Sequence, residues 1–308
     1  MRRLIPTIVL VVLCIGGFWY ASSQDFFKEK TQEAPALVTV KKEEVASYTV
    51  KNGDTETVLE RKDGGWTMTK PTALPLDSSS ADAWVDTFVS VKKDKVVTAA
   101  AAELEQFGLA APKQMFTVKL VDGGERTLAV GDLVPVGGSY YAKLGDAPEV
   151  FQLAELTVKS LAKQPVDFME KRAVKVEYEK VRALTVDWKG AAWTLTKTEP
   201  DKSSFESKWK LGERELTGTD ATGFLDRAAS LVTEQQAKRA SEVQGLDQPD
   251  LRIELKVAGE AAGAETTVAY AGKAAGDVVW ISQQGGEWAF AVPTAAVQEL
   301  ADKAKAAP

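Results

Sequence analysis

The chain repeats itself. Val45, Thr49, Val50 and Leu59 recur at one constant spacing as Val181, Thr185, Val186 and Leu195. Further on, Gly108, Leu109 and Pro112 recur as Gly245, Leu246 and Pro249, at a spacing one residue longer. Only two copies are visible, and the period far exceeds the roughly 20–50 residues of solenoid repeats. The spacing therefore predicts a tandem domain duplication. Units of ~130 residues can each bury their own core. They are expected over 38–170 and 171–308, after a segment 1–21 and a polar tether over 22–37.

Each unit opens with strands, expected in the first over 45–50, 55–61 and 66–69. Asn52-Gly53-Asp54 and Asp63-Gly64-Gly65 join them, and such residues accept the positive φ of tight hairpins. Ser78–Ser80 can cap a helix in which Ala81, Trp84, Val85, Phe88 and Val91 form one apolar stripe. Phe224, Leu225, Ala228 and Leu231 make the same stripe after Thr219. Phe116, Val118 and Leu120 alternate with Thr117 and Lys119, the period of a half-buried strand. Asp122-Gly123-Gly124 turns into a strand over 127–130. A hairpin over 140–144 and 149–153 and a short helix over 154–163 close the first unit. The second is expected to end alike, with strands over 278–282 and 288–292 and a helix over 294–303. Strands in runs, with two helices per unit, predict an α+β fold of mostly antiparallel sheet.

Ahead of the units, Leu4–Tyr20 carries no charge and follows Arg2 and Arg3. As a helix it would reach roughly 25 Å, a little short of the ~30 Å hydrocarbon core. Ala21 and the arginines extend it, and Phe18, Trp19 and Tyr20 suit an interfacial belt. The expectation is one N-terminal transmembrane helix through the bacterial inner membrane, with the bulk of the chain extracytoplasmic. A cleaved signal peptide ending at Ala21-Ser22-Ser23 is the rival reading. Cys14 follows Leu13 rather than a small residue, which disfavours a lipoprotein.

Composition narrows the chemistry. The chain has no histidine and one cysteine. A Ser-His-Asp or Cys-His nucleophile system, a His-containing zinc site and an intramolecular disulfide therefore cannot be built within it. The net charge is −6 and neither unit is basic, which argues against nucleic acid.

The remaining candidates read blandly. The glycine-rich run Gly131–Tyr141 leads into a strand and lacks a GK[ST] ending, so it is a turn rather than a phosphate cradle. Asp82 and Asp86 lie off the apolar stripe, on a solvated helix face. Glu43 and Glu44 are adjacent near a strand start. No Ca²⁺-loop pattern occurs among the acidic residues. Trp66, Trp84, Trp193, Trp209, Trp280 and Trp288 are expected in the core. Trp188 is expected to face away from Val186 as the exposed exception, unless it is a turn residue before Lys189-Gly190. Lys92, Lys93 and Lys95 would close the first long helix against its dipole. No catalytic, cofactor or metal residue is assigned.

Four features resemble the family of domain of unknown function 4340. They are the single N-terminal anchor, DGGWTMTKP from Asp63, EQFGLAAP from Glu105 and VGDLVPVGGSYYAK from Val130. The likeness covers about 40–165 well and the second copy less well, where AAGDVVWIS from Ala274 replaces the last motif. The resemblance implies a setting similar to extracytoplasmic auxiliary proteins of gliding-motility-type ABC transporters. It supplies no catalytic residues. The expected function is a non-catalytic binding or scaffold module with protein partners in the membrane or envelope. The alternative is a carboxylate-dependent envelope glycan hydrolase; a passive spacer is a third reading.

Overall fold

A computed structural model describes residues 36–261 and 263–305. The expected anchor from Leu4 to Tyr20 and most of the tether lie outside them. Among the described residues no helix is long and apolar enough to cross a membrane.

The described chain is two antiparallel sheets with few short helices, an α+β arrangement. The first sheet holds β1 (Val45–Asn52), β2 (Thr55–Lys62), β3 (Gly65–Lys70), β4 (Lys95–Thr98), β5 (Gln114–Leu120), β6 (Glu125–Leu133), β7 (Ser139–Leu144) and β8 (Val150–Ala154). Its order is β3-β2-β1-β5-β6-β7-β8-β4. The crossover from β3 to β4 carries α1 (Ser78–Val89) from one edge to the other, and α2 (Glu155–Leu161) follows β8. The second sheet holds β9 (Val181–Trp188), β10 (Ala191–Lys197), β11 (Trp209–Leu211), β12 (Arg214–Leu216), β13 (Lys238–Arg239), β14 (Leu251–Ala258), β15 (Glu265–Ala275), β16 (Val278–Gln283) and β17 (Trp288–Pro293). Its order, β12-β11-β10-β9-β14-β15-β16-β17-β13, repeats that of the first sheet with β12 added at one edge. Here α3 (Gly218–Ala229) occupies the crossover and α4 (Thr294–Asp302) follows β17.

The apolar stripes lie where their period puts them. Ala81, Trp84, Val85 and Phe88 of α1 are buried, as are Phe224, Leu225 and Ala228 of α3. Tyr48 of β1 stacks on Trp84 at 4.2 Å between ring centroids. The Trp84 indole donates to the Leu161 carbonyl at 2.8 Å, binding α1 to the end of α2.

Several expectations are corrected. The cap of α1 is Asp77, not Ser78–Ser80: its carboxylate accepts the Ser79 N–H at 3.0 Å. Thr217 caps α3 in the same way, accepting from Asp220. The lysines do not close α1, because the helix ends at Val89. The chain instead docks on β8, where Lys93 pairs with Glu149 at 2.8 Å and the Asp94 N–H donates to Gln152, and Lys95 opens β4. Trp188 is buried, 4% exposed. Residues two apart on a strand share a face, so Trp188 lies with Val186 on the core side, and its indole donates to Gln298 of α4.

The connection between the sheets is stitched into both. Leu76 bridges Met169, and Arg172 bridges Val232. Asp77 donates to Phe168, Glu170 to Pro75, Ala173 to Leu231 and Thr233 to Lys171, all at 2.8–2.9 Å. Met169 is buried and accepts the Ala237 N–H on its sulfur. Most buried residues of both sheets accordingly form one contiguous core.

Candidate functional site

The sequence candidates are not gathered into one site. Asp82 and Asp86 do share a helix face, but they are engaged there. Asp86 pairs with Lys42 at 2.8 Å, and Asp82 accepts the Trp66 indole N–H at 3.0 Å with the Arg61 guanidinium 3.6 Å away. Arg61 also lies over the Trp66 ring at 4.6 Å. This cluster pins α1 to β2 and β3. Glu44 folds back onto the Lys41 N–H in a short turn before β1. The Gly131 run is the end of β6 and a turn into β7. Gly131 itself packs on the loop before β5: a Cβ there would stand 2.0 Å from the Phe107 carbonyl oxygen. Among the described residues no three His, Cys, Asp or Glu side chains come together as a metal-ligand set.

Two recesses were not legible in the sequence. The first lies between the sheets. Pro75 and Leu76 form one wall, Tyr270, Trp288 and Phe290 the other, with Glu170 and Arg172 between them, around a volume of about 180 Å³. Glu170 is 6% exposed. Its carboxylate accepts the Lys171 and Arg172 backbone N–H groups and two bonds from the Arg172 guanidinium at 3.1 Å. Burial alone would push this carboxyl up. The Arg172 hydrogen bonds and the charges of Arg172 and Lys175 outweigh it and hold the carboxyl below its usual range. Beside it, the Arg239 guanidinium lies 4.0 Å over the Trp288 ring and pairs with Glu287.

The second recess is on the outer face of the second sheet, with a volume of about 570 Å³. Trp280 of β16 forms part of its floor with Ala274 and Ala275, and Val243, Gln244 and Gly245 form the loop side. Lys238 of β13 holds its ammonium 4.6 Å from the Trp280 ring centre. Strand pairing explains the placement. Lys238 is opposite Ala289 and Trp280 is opposite Ala291, and these two alanines share one face of β17. Lys273 also lines the recess, but it is tied to Asp250 at 3.3 Å and to the Gln248 carbonyl at 3.0 Å. Asp250 accepts the Ala274 N–H and then the Lys273 ammonium, which together keep it ionised below its ordinary pKa.

The matching region of the first sheet is packed differently. Phe107 and Tyr141 meet edge to face at 5.1 Å beside Leu109, Ala129 and Val150. Tyr141 and Trp280 thus belong to similar small outer-face clusters, each covered by the turn after an edge strand.

Comparison with known families agrees with this frame. The family model described as "Domain of unknown function (DUF4340)" matches residues 66–243. The match begins in β3 rather than near 40, crosses the connection and ends at Val243 beside the second recess, so it takes in part of the second copy as well. No curated protein and no solved structure matches the chain. With the matched segment spanning more than half of its residues, this chain belongs to the DUF4340 family.

Proposed function

We propose that this chain is a non-catalytic binding or scaffold module, tethered to the bacterial inner membrane from Leu4 to Tyr20 and extracytoplasmic in its bulk. On this reading its two units, 38–170 and 171–308, arose by tandem duplication and serve as an auxiliary component of an ABC-type transporter or another envelope complex. The supporting observation is the connection at 168–173. Its hydrogen bonds to both units and the shared core make the two sheets one body with two outward faces. Such a body suits a platform that presents both faces in a set geometry, and linked modules gain avidity through effective concentration.

The glycan hydrolase alternative needs a cleft carboxyl with a raised pKa to act as general acid. The buried carboxyl of the cleft between the sheets, Glu170, is shifted the other way. The test is a crosslinked pull-down from membranes with the full-length chain and an anchorless version, read by mass spectrometry. Transporter subunits recovered with the full-length chain are the expected result. Intact complex assembly and envelope function after deletion of either unit would overturn the reading.

A further inference from the structure

The tryptophans of the described chain divide into two groups. Five donate their indole N–H within the protein: Trp66 to Asp82, Trp84 to Leu161, Trp188 to Gln298, Trp193 to Ala301 and Trp209 to Ser204. Trp280 and Trp288 have no such acceptor among the described residues. A buried indole N–H normally finds a partner. Trp280 is 9% exposed, yet its nitrogen is not sealed away: the buried side-chain atoms left without partners are Thr57 Oγ1 and Thr294 Oγ1. Solvent therefore reaches this donor, and Trp280 lines the recess on the outer face.

A second unspent group stands in the same recess. Among the described residues Lys238 has no carboxylate partner, and its ammonium rests only over the Trp280 ring. Lys273 is neutralised by Asp250, so it adds little net charge. The recess thus offers one cation and one N–H donor without a hydrogen-bonding or ion-pair partner in the described chain, with the Glu242 carboxylate also in its lining. Both are satisfied by the same kind of group, an anionic oxygen acceptor. With Lys273 paired to Asp250 and Glu242 adding a negative charge to the lining, the single Lys238 cation matches a monoanionic carboxylate better than a dianionic phosphate. Val243, Ala274, Ala275 and the indole supply an apolar wall, while Gln244 and Glu242 at the rim can take ligand hydroxyls. The volume falls within the ~300–1,000 Å³ of small-molecule sites.

We propose that the recess formed by Lys238, Trp280, Gln244 and Glu242 binds a sugar acid, its carboxylate held by the Lys238 ammonium and the Trp280 indole N–H. The site is independent of the scaffold role. It belongs to the second unit alone, since Phe107 and Tyr141 pack against each other in the matching region of the first. Free sugar acids and the acidic residues of an envelope polysaccharide share this chemistry.

The test is a titration of the intact extracytoplasmic chain with galacturonate, trigalacturonate and neutral galactose, followed by tryptophan fluorescence and calorimetry. Saturable binding of galacturonate, weakened by salt and absent with galactose, is expected. A tighter trimer identifies the polymeric source, and equal affinities identify the free acid. Lys238→Gln, at an exposed position, should keep the thermal midpoint and weaken binding about tenfold, the loss of one charged hydrogen bond. Trp280→Phe keeps the wall, removes the donor and should weaken binding severalfold. The proposal is overturned if neither acid binds saturably, if galactose binds equally well, or if Lys238→Gln leaves the affinity unchanged.

Discussion

Trp84 donates its indole N–H to the main-chain carbonyl of Leu161 at 2.8 Å, both groups buried. This bond joins the crossover helix to the final helix of the first unit, elements far apart in the chain. It gives the tryptophan a task beyond apolar burial. Trp84→Phe would keep most of the packing and remove this bond, while the Leu161 carbonyl keeps the Lys163 N–H at 2.8 Å, so the cost is about 1 kcal/mol. Trp84→Ala would add a cavity, for a total of roughly 3–5 kcal/mol. Urea unfolding of both variants against the parent measures the difference; a Trp84→Phe variant as stable as the parent would show that the hydrogen bond contributes little.

Glu170 gives stability a defined pH dependence. Its folded pKa is lowered, so its contribution is present above the unfolded value of ~4.3 and is lost as pH falls through the folded value. Glu170→Gln should lower stability by about 1 kcal/mol near neutral pH. It should cost less in acid, where the parent carboxyl is itself protonated. Denaturant midpoints of the two proteins at neutral pH and near pH ~3 check this; a gap that does not narrow in acid would contradict the assignment.

Gly218 starts α3 against the backbone of residue 205. A Cβ there would stand 1.9 Å from the Phe205 carbonyl oxygen, whereas at Gly65 the nearest neighbour would be 3.9 Å away. Helix propensity alone favours alanine over glycine by about 1 kcal/mol. Sterics reverse that sign at Gly218: Gly218→Ala should destabilise by roughly 1–3 kcal/mol, while Gly65→Ala should change little. Thermal melts of the two variants give the comparison.

Tyr48 and Tyr178 resist ionisation. Burial, followed by the nearby Asp82 charge, raises Tyr48 far above its ordinary value. Burial and the hydrogen bond to Asp226 push Tyr178 up to about 12. Above ~10 the unfolded chain loses these phenolic protons while the folded chain keeps them, so stability falls as pH rises. Ultraviolet titration should show these two phenols ionising late, with Tyr48 released only on unfolding. Tyr178→Phe should flatten the alkaline loss.

Much of the fold was legible because it is periodic. The stripe through Ala81, Trp84, Val85 and Phe88 and the alternation at Phe116 and Val118 are local patterns, and the turns at Gly53, Gly64 and Gly123 all have positive φ. Short edge strands were not legible. β4 and β13 have four and two residues, too few to show a period, and exist because β8 and β17 offer a free edge. The Lys92–Lys95 run looked like a helix end because charge alone cannot distinguish a last turn from the chain just beyond it. The expectation that Trp188 faces away from Val186 miscounts the strand alternation: residues two apart share a face, which puts it in the core beside Val186.

The candidate recesses follow the same division. The sequence by itself determined the paired strand-and-helix order and the chemistry denied by the lack of histidine, since both depend on residue type and spacing along the chain. Tertiary structure alone decided which side chains meet. Lys238 reaches Trp280 only because β13 adds to the far edge of the sheet beside β17. Glu170 is held below its usual range because the connection folds Arg172 back over it between two sheets, beside Lys175. Such contacts depend on strand pairing and burial across long separations, which no local period encodes.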